Sequence, residues 1–180
     1  MKILVFDDTL KHRNAAIAQL GVEHELTVVG TYDEAQLLLA GGYKDYQKIE
    51  PVRFDAVLVD LLVPASAQQL GGDACRFIGQ EMPIGIFIAL LGAVKSGAKY
   101  VAILTDSNHH QHPASACVDA FNEDNRNPTP FNIEQCKVIL SNTGAWVGSD
   151  GKNWKDLLDY LVNGKKEVVR TDSQFRIVGE

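Results

Sequence analysis

Cysteine is scarce: Cys75, Cys117 and Cys136 are the whole set, and none forms a CxxC pair. Three scattered thiols exclude a secreted disulfide framework and a zinc ribbon, and point to a reduced, cytoplasmic protein. Long apolar runs are missing too. No stretch approaches the ~18 residues a spanning helix needs, and no basic-then-apolar leader precedes the first strand pattern, so no membrane partner is expected. Clusters of Lys and Arg are lacking; Lys165-Lys166 is only a pair, against a formal charge of −6. Counterion release needs more than that, so no nucleic-acid partner is expected. Neither a P-loop nor GxGxxG occurs. "TGAWVGSDGKNW" at 143–154 therefore reads as a connecting turn, with Trp146 and Trp154 as packing anchors. Nothing like GxSxG surrounds Ser141 or Ser149, which excludes a serine hydrolase of that type. There is no internal repeat.

What remains is ordinary globular material, 46% apolar and 22% charged, enough for one sizeable core. Short apolar runs alternate with helix-period segments. Ile3 to Phe6 predicts a first strand, and Lys11 to Leu20 a helix. "HELTVVGTY" predicts a second strand, "DEAQLLLAGG" a second helix, and "FDAVLVDLLVP" a third strand closed by Pro64. "IGIFIALLGAVKSG" predicts a buried helix ahead of a fourth strand, "KYVAILTD". A fifth, "CKVILSN", follows the polar loop "NEDNRNPTP". Trp154, Leu157, Leu158 and Leu161 mark one face of a last helix. Strands that are apolar throughout belong to a sheet covered on both faces, so the pattern predicts a doubly wound α/β domain with parallel strands. The domain is expected over 1–164. Residues 165–180, with their weak "EVVRTDSQFRIV" alternation, are expected to be a tail or small edge element.

In such sheets functional groups gather where the strands end. The residues in that place are Asp7 and Asp8 after the first strand, Asp60 after the third, and Thr105 and Asp106 after the fourth. Ser141 and Asn142 follow the fifth. Three carboxylates at one rim repel unless a cation sits among them, and a hard divalent ion such as Mg²⁺ suits all-oxygen ligands. With that charge in place, Asp60 could act as a nucleophile toward a phosphoryl group, and Thr105 could hydrogen-bond its oxygens.

"KILVFDD", "VVGTYDEAQLLLA", "FDAVLVDLLVP" and "VAILTDS" resemble the receiver domain of two-component response regulators, over residues 2–64 and 98–107 above all. "VDLLVP" is the most specific piece. The resemblance implies a flavodoxin-like sheet of five parallel strands in the order 2-1-3-4-5. It implies Asp60 as phosphoacceptor, Thr105 as the hydroxyl that contacts the phosphoryl group, and Mg²⁺ held by Asp7, Asp8, Asp60 and the backbone carbonyl of Leu62. It also implies a histidine kinase or phosphotransfer protein as donor and a downstream protein as output partner, in a module that is not itself an enzyme beyond its own phosphorylation.

The sequence departs from that pattern in places. Receivers carry a lysine at the end of strand five, where this chain has Ser141. Lys137 lies at the wrong end of that strand, and Lys152 falls in a loop. The segments "GGYKDYQKIEPVR" and "ASAQQLGGDACRFIGQEMP" lengthen two connections. The chain is thus expected to be a divergent receiver, the alternative being a degenerate one that binds partners without phosphorylation. A third reading is a small phosphohydrolase of the haloacid dehalogenase type, faintly echoed by "VFDDTL", "ILTDSN" and "VGSDGKNWKD". Adjacent Asp7 and Asp8 count against it, since neighbours on a strand point to opposite faces. His109, His110 and His112 in "NHHQHP" form a candidate transition-metal site or, more simply, a solvated loop.

Overall fold

The computed structural model describes residues 1–66, 72–108, 110–122, 128–142 and 146–164. Six strands form the central sheet: β1 (Lys2–Phe6), β2 (Glu25–Val29), β3 (Ala56–Val59), β4 (Tyr100–Leu104), β5 (Phe131–Ile133) and β6 (Cys136–Ser141). They lie in the order β2-β1-β3-β4-β6-β5. The first five positions are parallel neighbours, and only β5 runs antiparallel, against β6. Counting parallel strands alone gives 2-1-3-4-5, the flavodoxin-like order. The α/β expectation is met, with one added edge strand.

The helices are α1 (Leu10–Leu20), α2 (Tyr32–Ala40), α3 (Gly85–Leu90, continued as a π-helical stretch to Ser96), α4 (Pro113–Val118) and α5 (Trp154–Asn163). Because side chains alternate along a strand, each strand feeds two cores. Ile3, Val5, Ala56, Leu58, Ala102, Leu104 and Ile139 pack with Ala16, Leu20, Trp154, Leu157 and Leu161 of α1 and α5. Leu4, Phe6, Val57, Val59, Val101, Ile103, Val138 and Leu140 pack with α2, α3 and α4 through Ala35, Leu39, Ile88, Ala89 and Val118. A fully buried Leu, Ile or Phe side chain is worth roughly 1.5–3 kcal/mol, so these layers carry the fold. Gly92 lets α3 approach β3 closely, since a Cβ there would meet Val57 Cγ2 at 2.9 Å.

Four departures from the sequence reading concern connections. The third strand stops at Val59; Val63–Pro64 instead pairs with Glu81–Met82 outside the main sheet. The 65–83 insertion, expected as loop, also contains a 3-10 turn at Gly72–Phe77. Residues 42–49 form a two-stranded hairpin whose tip, Asp45 and Tyr46, has φ of 50° and 64° and a fully exposed Tyr46. The 143–154 segment is more than a turn: Val147–Gly148 pairs antiparallel with Gly151–Lys152. Residues 165–180 lie outside the described residues.

Candidate functional site

Asp7 and Asp60 continue the inward alternation of β1 and β3, so both project to the side of the sheet that α1 and α5 cover. Asp7, Asp8 and Asp60 each offer a carboxylate oxygen, and these lie within 4.8 Å of one another. The turn after β1 is tightened by Arg13, whose guanidinium donates to the carbonyls of Asp7 (2.9 Å) and Asp8 (2.6 Å). Asp7 Oδ1 accepts the Thr9 N–H at 2.9 Å. Behind Asp60, the α3 terminus presses on the main chain: a Cβ at Gly85 would fall 1.8 Å from the Asp60 carbonyl oxygen. The Gly85 N–H donates to the Leu61 carbonyl.

The sequence reading found no fixed cation beside Asp60, and the structure corrects it. Lys152 Nζ lies 2.7 Å from Asp7 Oδ2 and 2.9 Å from Asp60 Oδ2, and Lys152 is 0% exposed. The lysine reaches the site from the 147–152 hairpin rather than from β6, which is why the strand-end position, Ser141, misled. Gly151, at φ 122°, makes this possible. Its missing side chain lets the hairpin lie against α1, where a Cβ would sit 3.0 Å from Ala15 Cβ and 3.2 Å from His12 Nδ1. Helix α1 then holds both ends of the Lys152 residue. His12 Nδ1 accepts its N–H at 3.1 Å, and Gln19 Nε2 donates to its carbonyl at 3.1 Å.

The electrostatics follow from burial. Desolvation pushes Asp60 up to about 7, with Lys152 pulling it down and Asp7 pushing it up again. Asp8 is also raised, first by burial and then by Asp7. Burial alone would lower Lys152, but Asp60 and Asp7 outweigh it and leave the ammonium raised. Three carboxylates face one ammonium, so the cluster keeps a net negative charge. An all-oxygen, net-negative cluster of this kind fits a hard divalent cation.

Thr105 is fully buried, and its hydroxyl accepts the Ser107 N–H at 3.2 Å. Leu62 lies against Asp60, its N–H 3.4 Å from Asp60 Oδ1. Asn142 fixes α4 by donating to the Ser115 carbonyl and Asp119. His112 caps α4, its Nδ1 accepting the Ala114 N–H. His109 lies outside the described residues, and the metal-ligating cluster found among the described residues is the Asp7–Asp8–Asp60 one. Asp7 turns inward to Lys152 and Asp8 stays half-buried, yet both bring a carboxylate oxygen to the same cluster, because they lie past the end of β1 where strand alternation no longer separates neighbours. His12, which the sequence reading passed over as part of a helix, is buried beside the lysine; its signal was a polar ring on the apolar face with Ala15, Ala16 and Leu20. Among the described residues, no helix is long and apolar enough to cross a membrane.

No family model and no curated protein matches the chain. Among solved structures, it is similar to the N-terminal domain of a response regulator/sensory box/GGDEF 3-domain protein from Carboxydothermus hydrogenoformans, at 15% identity over 91% of each chain and a TM-score of 0.42.

Proposed function

We propose that the chain is a signalling receiver module in which Asp60 accepts a phosphoryl group. The observation that supports this above the rest is Lys152 Nζ within hydrogen-bond reach of both Asp60 and Asp7. A carboxylate oxygen of Asp60 attacks phosphorus, the bond from phosphorus to the donor's leaving atom breaks, and the electron pair departs with the donor. Lys152 would pair with a phosphoryl oxygen and Thr105 would hydrogen-bond another once the group has arrived. Asp7, Asp8, Asp60 and the Leu62 carbonyl would hold Mg²⁺, which supplies charge neutralisation for the transferring group. The donor is a histidine kinase or phosphotransfer protein, and the output is contact with a further protein.

One observation favours a second reading. Asp60 and Lys152 are both buried, as suits a structural ion pair in a module that binds partners without phosphorylation. One experiment separates the two. Trp154 lies with its ring centre 5.4 Å from Lys152 Nζ, so its fluorescence reports the lysine's surroundings. Mg²⁺ with beryllofluoride should change that fluorescence, and acetyl phosphate should leave an acid-labile adduct. Asp60→Asn should abolish both. A wild-type protein as silent as Asp60→Asn supports the structural reading.

A further inference from the structure

We infer that His12 is the positioning residue of Lys152, and that it ties the ammonium's place on Asp60 to Asp106 at the end of β4. The inference rests on the phosphoacceptor reading for its consequence, though not for its geometry. His12 is buried on α1, and both ring nitrogens are engaged. Nδ1 accepts the Lys152 N–H at 3.1 Å, so it carries a lone pair. The ring proton is therefore on Nε2, which donates to Asp106 Oδ2 at 3.2 Å. No other side chain among the described residues joins these two points.

Three features make this a link rather than mere filling. The lysine sits on a two-residue strand outside the main sheet, so the ladder that fixes Asp7 and Asp60 does not fix it. A Cβ on Gly151, the residue before it, would sit 3.0 Å from Ala15 Cβ and 3.2 Å from His12 Nδ1, so the hairpin is seated closely on α1 beside that imidazole. Asp106 directly follows Thr105, the hydroxyl assigned to the phosphoryl group under the phosphoacceptor reading, and its side chain is half exposed. A displacement of the Thr105–Asp106 segment thus reaches Lys152 through one rigid aromatic ring. His12 touches neither the acceptor nor the donor; it acts through the lysine.

Asparagine and glutamine separate the two halves of the link. His12→Asn offers an amide oxygen near the place of Nδ1. His12→Gln offers its amide near the place of Nε2. The 180-residue chain is measured first without a phosphodonor. Nitrogen resonances of His12 should show the proton on Nε2, and the buried Lys152 ammonium should give a slowly exchanging signal. That signal should persist but shift in His12→Asn, which keeps the Lys152 half of the link and drops the Asp106 half, and be lost in His12→Gln. With Mg²⁺ and acetyl phosphate, His12→Asn should stay within about threefold of wild-type uptake, while His12→Gln slows by at least about tenfold, toward the Lys152→Ala level, as a misplaced polar group would.

Should a His12 variant fail to fold, Asp106→Ala, at a half-exposed site, should still shift both the His12 and Lys152 resonances. A proton on Nδ1 in the wild type, a His12→Gln protein equal to His12→Asn, or resonances indifferent to Asp106→Ala would each overturn the link. A wild-type protein that takes up no phosphoryl group sinks the phosphoacceptor reading and leaves the resonance measurements to decide on His12.

Discussion

At the scale of single residues, the molecule turns on one lysine between two acids. A buried ion pair is weak support for stability when compared with apolar replacements, but breaking one strands its partners. Lys152→Met keeps the bulk of the stem and removes the charge, leaving Asp7 and Asp60 facing one another. Urea unfolding at pH 8 should show a loss of about 3–5 kcal/mol. The loss should shrink near pH 5, because Asp60, raised to about 7 beside Lys152 and further without it, is then protonated in both proteins and the variant forfeits no ion pair to it. An equal loss at both pH values would mean that packing, not charge, explains the effect. Asp7, Asp8 and Asp60 were legible in the sequence because each follows an apolar strand, and strand ends share a rim. Lys152 was not. Its position depends on a hairpin that Gly151 allows, and neither periodicity nor spacing encodes where such a hairpin docks.

At the scale of elements, α3 governs the seat of Asp60. The Gly85 Cα lies so close to the Asp60 carbonyl that any side chain must push one of the two aside. Gly85→Ala should destabilise the protein by roughly 1–3 kcal/mol, as overpacking in a well-filled interior does. It should also weaken Mg²⁺ binding, because the displaced strand end carries the carboxylate with it. Ala93, on the same helical run but away from the acidic rim, offers the control: Ala93→Ser should leave the Mg²⁺ affinity at the wild-type value in calorimetry. Helices α1, α2 and α5 and the five parallel strands were legible because their apolar spacing is strong over many residues. Strand β5 escaped notice, as three residues beside an Asn- and Pro-rich stretch give too short a pattern. The 42–49 hairpin was missed for a related reason: its tip places Asp and Tyr where a turn of this kind usually signals itself with Asn or Gly.

At the scale of the whole molecule, stability and cation binding are linked through one titration. Asp60 titrates at 3.8 ordinarily and at about 7 when folded, so the native state holds the extra proton between those values. Its contribution to stability is fully present below about pH 4 and lost as the pH rises through about 7. Metal-free protein should therefore lose melting temperature as the pH climbs across that window, and Asp60→Asn should flatten the slope. Mg²⁺ needs the ionised carboxylate. Its affinity should tighten by up to about tenfold per pH unit below 7 and level off above it. Saturating Mg²⁺ should in turn raise the melting temperature most at pH 8, since a ligand that binds only the native state stabilises it by mass action. An affinity constant from pH 5.5 to 8 would place the ion away from Asp60.

The 42–49 hairpin has a practical consequence. Its tip stands clear of the sheet, its Tyr46 phenol meets only solvent, and the chain reverses direction there within two residues. A dye, an affinity handle or a cross-linking group could be grafted at that position while the acidic rim and both hydrophobic layers keep their native geometry, which gives any search for binding proteins a ready point of attachment.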